Sequence, residues 1–87
     1  MRIARVIGTA TATAKAAGLS GHKLLIVDVQ DARGKVIEPS LVAVDTVGAG
    51  RGDLCLMVQG SSARIPAGAA GLPVDATLIA VIDTVSV

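Results

Sequence analysis

Apolar and polar residues alternate along most of this chain, and glycine- and proline-bearing stretches cut the alternation into short segments. The first, Met1–Ala14, runs through Ile3, Val6 and Ile7 and then places Thr9, Thr11 and Thr13 between alanines. A period of two with β-branched residues predicts a long first strand. Gly8 inside it predicts a bulge or a sharp bend. Beyond a loop at Lys15–Gly21, His22, Lys23 and Leu24–Val29 read as a second strand. Asp31–Lys35 has the residues of a hairpin loop, with Gly34 free to take the left-handed conformation, and it joins strands two and three antiparallel. Glu38-Pro39-Ser40 interrupts the run that begins at Val36. Because proline has no donor for a ladder, the third strand proper is expected at Leu41–Val47, with the interruption at a sheet edge or in an irregular excursion.

Leu54–Val58 is short and almost wholly apolar, a fourth strand. Ser61 or Ser62 is placed to cap a short helical turn through Ala63–Ile65, and Pro66, Gly68 and Gly71 forbid a longer helix. The last strand is expected from Thr77 to Val87. It is largely apolar on both faces, so it needs cover on both sides. The pattern predicts an all-β fold: a small, partly open, five-stranded OB-like barrel with one short helical turn before the last strand, in a single domain over residues 1–87.

Between the third and fourth strands lies the turn Gly48-Ala49-Gly50-Arg51-Gly52-Asp53, with glycine at alternate positions. Glycines so spaced belong where backbone takes positive φ or lies too close to other backbone to carry a Cβ. Comparison with phosphate-cradling loops fails. The spacing is GxGxG, no Lys-Ser/Thr pair follows, and the next residues form an apolar strand instead of a helix whose N-terminus can hold an anion.

Composition changes the picture in one respect. Of the 87 residues, 52% are hydrophobic and 17% charged, yet there is no Phe, Tyr or Trp. A domain this small removes only about 60–65% of its unfolded surface from water. So much small aliphatic surface is expected to be covered by other copies of the chain or by a partner, in an obligate oligomer. Apolar runs fall short of the roughly 18–20 residues a spanning helix needs, so a soluble, cytoplasmic chain without a membrane partner is expected. The net charge is +1, with eight basic and seven acidic residues dispersed along the chain. Nucleic-acid binding rests on clustered cations and, for single strands, on aromatic stacking, so no nucleic-acid partner is expected.

Candidate chemistry is sparse. Cys55 is the only cysteine, which rules out an internal disulfide and reads as a small buried hydrophobe. His22, the only histidine, has no second histidine or cysteine cluster to share a metal with, and is expected at a strand start or interface edge. No cofactor or metal site is expected. Ser61 or Ser62 as the nucleophile of a small hydrolase would need His22 nearby with an orienting partner. Asp45, Asp53, Asp75 and Asp83 read as solvated strand ends and loop caps. No catalytic constellation stands out, and the alternative to a structural protein is an OB-type binding module for nucleic acid or a small ligand.

The run Val44-Asp45-Thr46-Val47-Gly48-Ala49-Gly50-Arg51-Gly52, followed by an apolar strand and Gly60-Ser61-Ser62-Ala63-Arg64, resembles the signature of the EutN/CcmL family of bacterial microcompartment shell vertex proteins. Met1–Gly8, Lys23-Leu24-Leu25 and Val81-Ile82-Asp83-Thr84-Val85 are similar to family segments in the same order. The resemblance implies a non-enzymatic structural protein in the shell of a carboxysome or metabolosome. It further implies a five-stranded barrel assembled as a pentamer at the fivefold vertices, with hexameric shell proteins as partners; a hexamer of this chain is the alternative. On this reading Gly48, Ala49, Gly50, Arg51 and Gly52, together with Gly60, Ser61, Ser62 and Arg64, are expected at the subunit interface. There a neighbouring subunit crowds the glycine loop and Arg64 donates a hydrogen bond across the contact. The bland connection Ile65–Leu72 and the alanine-rich Thr9–Ala17 depart from the family and leave the type of compartment open.

Overall fold

A computed structural model describes residues 1–12, 19, 21–66, 69 and 74–87. Thr13 and Ala14 of the expected first strand, most of the Lys15–Gly21 loop and most of the Ile65–Leu72 connection lie outside them; Thr11 and Ala12 are described and carry no strand, so the first strand stops at Ala10, short of the expected Ala14. The described residues form five strands and one short helix: β1 (Arg2–Ala10), β2 (Lys23–Gln30), β3 (Val36–Asp45), β4 (Leu54–Gln59), a 3-10 turn η1 (Gly60–Arg64) and β5 (Ala76–Val81). They close into a barrel in the order β1-β2-β3-β5-β4, with β4 returning to β1. The seam is the short parallel pairing of β3 with β5, at Val44 opposite Thr77 and Asp45 opposite Leu78. That seam makes the barrel closed where the sequence suggested a partly open one.

Period-two patterning fills the interior. Ala4 and Val6 of β1, Leu25, Val27 and Val29 of β2, Cys55 and Met57 of β4 and Leu78 of β5 are buried together. Each fully buried side chain the size of leucine or methionine contributes on the order of 1.5–3 kcal/mol. No ring is needed because these small side chains interdigitate within a narrow barrel. At Gly8 the β1–β2 register shifts, with Val6 opposite Val27 and Gly8 opposite Ile26, so the expected bulge is present. The β2–β3 hairpin is tied by Asp31, whose Oδ1 accepts the N–H groups of Arg33 (2.9 Å) and Lys35 (3.0 Å). Gly34 takes φ +92°, the left-handed region expected for it.

Three other elements differ from the sequence reading. Glu38-Pro39-Ser40 does not end a strand: β3 is continuous from Val36 to Asp45, with register shifts opposite Val27–Gln30. Ser40 sits at φ 59°, and its N–H is taken up by Asp28 Oδ1 at 2.9 Å, so a side chain supplies the acceptor that the distorted ladder does not. The last strand stops at Val81 instead of Val87. Its final bond runs from the Ile82 N–H to the Leu54 carbonyl (2.7 Å), and since β4 begins at Leu54 there is no further β4 backbone to pair with. Finally, neither serine caps η1. Gln59 holds the cap position without a side-chain bond, and both serines lie inside the turn. Gly60, at φ +64°, turns the chain there and gives its N–H to the Asp75 carbonyl at 2.9 Å.

Candidate subunit interface

The glycine loop leaves β3 at Asp45 and enters β4 at Leu54, and the rest of the barrel pins it. The Gly52 N–H donates to the Val6 carbonyl (2.8 Å), the Val6 N–H to the Asp53 carbonyl (2.9 Å), and Arg5 Nη1 to the Gly52 carbonyl (2.8 Å). Within the loop the Gly50 N–H donates to Asp53 Oδ2 at 2.8 Å. Gly48 (φ +76°) and Gly52 (φ +91°) occupy the left-handed region, which costs an L side chain roughly 1–2 kcal/mol. Gly50 does not, and a Cβ added there meets only Asp53 Oδ2, at 3.9 Å. The close backbone approach expected of these glycines is therefore not made by the chain's own described atoms.

Lys23 was not singled out by the sequence, and it holds this loop from the side. Its Nζ donates to the Ala49 carbonyl and lies 3.6 Å from Asp45 Oδ2. The Asp45 side chain is 2% exposed, so it is not the solvated strand end that its position suggested. It is compensated by Lys23 and by the Val47 N–H, which donates to its other oxygen at 3.0 Å. The signal in the sequence is only that Lys23 and Asp45 begin and end paired strands, which becomes meaningful once their register is known. Cys55 is fully buried; burial first, then the Asp53 and Asp45 carboxylates, push its thiol pKa upward, so the neutral thiol is favoured.

The expected interface residues fall into two groups at opposite ends of β4, about 17 Å apart along a six-residue strand. Gly48, Arg51 and Gly52 are exposed and Gly50 is half-buried. Ala49 is wholly buried in its own barrel, so its side chain has no free surface to offer. In the second group Gly60, Ser61, Ser62 and Arg64 are exposed on η1. Arg64 Nε donates to the Val74 carbonyl within the chain at 3.1 Å. Hydrogen bonds among the described residues join neither serine to His22.

The barrel's exterior is apolar on two different flanks. On β1–β3, Ile7 and Val42 are exposed, and Val42 stands opposite the half-buried Ile26. On β4–β5, Val58 and Ile79 line a groove of about 420 Å³ with Met1, Ile65 and Pro66; Ile65 is 76% exposed.

A closed five-stranded barrel with this loop between β3 and β4 is matched over residues 1–83 by a family model described as ethanolamine utilisation protein EutN/carboxysome. The chain belongs to the EutN/CcmL family. The shell vertex protein EutN of Salmonella typhimurium is 40% identical over 85 residues, 98% of this chain and 86% of that protein. The structure of CcmL from Nostoc sp. superposes with a TM-score of 0.92 at 42% identity, covering all of this chain and 92% of the other. GrpN from Rhodospirillum rubrum, described as a pentameric microcompartment shell protein, superposes at 0.88 with 38% identity, covering all of this chain and 98% of GrpN. This EutN/CcmL chain is a microcompartment shell vertex protein, structural in function, not enzymatic, and a component of a cytoplasmic assembly.

Proposed function

We propose that this protein closes the fivefold vertices of a bacterial microcompartment shell as a ring of five identical subunits, bordered by hexameric shell proteins of the facets. The observation that carries the ring is the pair of unlike apolar flanks, one on β1–β3 and one on β4–β5. A twofold dimer buries the same patch on both subunits, whereas a ring buries two different patches on every subunit and closes when the rotation allows. In this reading the exposed glycine loop and η1 meet neighbouring subunits, and the missing side chain at Gly50 leaves room for that approach. The pentameric relative GrpN supports the number five. Identities of 42% to a CcmL and 40% to an EutN are too alike to choose between a carboxysome and a metabolosome.

Light scattering or native mass spectrometry tests the ring directly. The expected mass is five times the 8.6 kDa of one chain. A monomer in dilute solution would sink the reading, and a hexamer would keep a ring but remove the vertex. For the bordering proteins, co-expression with hexameric shell proteins is expected to give closed polyhedral shells. Shells that close equally well without this chain would count against vertex closure.

A further inference from the structure

β3 pairs with β2 along its length, but among the described residues it meets β5 only at Val44 and Asp45. Between Val36 and Ala43 the strand's other edge has no neighbouring strand among those residues, and Val36–Ser40 and Val42 are all exposed. Alternate residues of a strand turn their N–H and C=O groups away from the partner, so such an edge is a template for another strand. Pro39 and Ser40 blunt its middle: one has no N–H and the other gives its own to Asp28.

A segment with the opposite need follows β5. Beyond the Ile82 N–H, Asp83–Val87 has no strand assignment and is exposed throughout. Val85 (40% exposed) and Val87 (79%) alternate with Thr84 and Ser86, which is the pattern of a strand without a ladder. The segment and the open edge do not meet within one molecule. Since β5 runs parallel to β3 with Thr77 opposite Val44, every residue past Leu78 leads away from Val36–Ala43. Returning from Ile82 to the level of Ala43 takes about 20 Å plus a turn, and Asp83–Val87 reaches about 17 Å at full extension.

We propose that Thr84–Val87 of one subunit adds as a strand to the β3 edge between Val36 and Ala43 of the next subunit. The proposal rests on the ring described above. Giver and receiver are different surfaces displaced in opposite directions along the strands, so the contact is head-to-tail and repeats around a ring. Backbone hydrogen bonds hold the added strand, and its valines cover one of the apolar side chains on that edge, Ile37 or Val42, now 52% and 51% exposed.

Two measurements on the full chain test it. Val85→Pro removes an N–H from the adding segment that no hydrogen bond among the described residues uses; the ring is expected to dissociate at concentrations at least tenfold higher than for the parent, with an unchanged β-sheet circular dichroism spectrum. Paired substitutions Val85→Cys with Ile37→Cys or Val42→Cys are expected to give a ladder of disulfide-linked oligomers, in which the buried Cys55 takes no part. A Val85→Pro ring as tight as the parent, or an absence of ladder from both pairs, overturns the proposal while leaving the ring in place. A ladder from Val85→Cys with Ile65→Cys instead would seat the segment in the β4–β5 groove and overturn it equally. A monomeric parent would remove ring and proposal together.

Discussion

The three loop glycines are not equivalent, and substitution separates them. Gly52 holds a left-handed φ and gives its N–H to Val6. Gly52→Val is expected to destabilise the barrel itself by about 1–2 kcal/mol, seen as a lower midpoint in urea. Gly50 lies outside that region and has open space around it within the subunit. Gly50→Val should shift the midpoint by no more than about 0.5 kcal/mol, as for an ordinary surface change, and should instead lower the native mass. A Gly50→Val protein that keeps the parent mass on dilution would remove the idea of a neighbour crowding this position. The alternation of glycines was legible in the sequence; which of them answer to φ and which to space was not, because that depends on how the loop is pinned to β1.

Between elements, the tie that matters most for the loop runs from β2. Lys23 reaches Ala49 and the buried carboxylate of Asp45, while its own side chain stays half exposed. Lys23→Met would leave Asp45 buried with its Val47 bond but without a counter-charge, which costs on the order of 1–3 kcal/mol. Adding Asp45→Asn is expected to recover much of that loss, because the orphaned charge goes too. A loss in the double variant equal to the sum of the losses for Lys23→Met and Asp45→Asn alone, measured by chemical denaturation, would show that the pair contributes no coupling. Strand identities and the Asp31–Gly34 hairpin were readable from local pattern and turn chemistry. The continuity of β3 was not, because it depends on Asp28, twelve residues away, supplying an acceptor to Ser40. The early end of β5 was hidden for a similar reason. Residues Asp83–Val87 keep a strand's alternation, but the β4 backbone that would pair with them does not extend so far.

At the scale of the whole molecule, the surplus of small aliphatic side chains resolves into an interior and two outer flanks. If those flanks form the contacts of the ring, assembly is chiefly apolar. The ring mass is then expected to persist in 1 M salt, where the screening length falls to about 3 Å, and to persist also in sulfate, which strengthens apolar burial. Dissociation at high salt would point to charged contacts and against the flanks as the main interface.

The sequence by itself determined the all-β class, the five strands and the need for cover beyond one subunit. These follow from period-two alternation, turn residues and the ratio of apolar residues to chain length, all local or additive quantities. It also carried the family resemblance, since the glycine run and its flanking strands are contiguous. Only the tertiary structure decided that the barrel closes through a two-residue parallel seam, that Ala49 points inward, that Lys23 is tied to the buried carboxylate of Asp45, and that, among the described residues, an open β3 edge and an unpaired strand-like segment lie apart. Those depend on register and on which distant segments are brought side by side. For the glycine loop, the chain's own packing accounts for Gly48 and Gly52 through φ and leaves open space at Gly50.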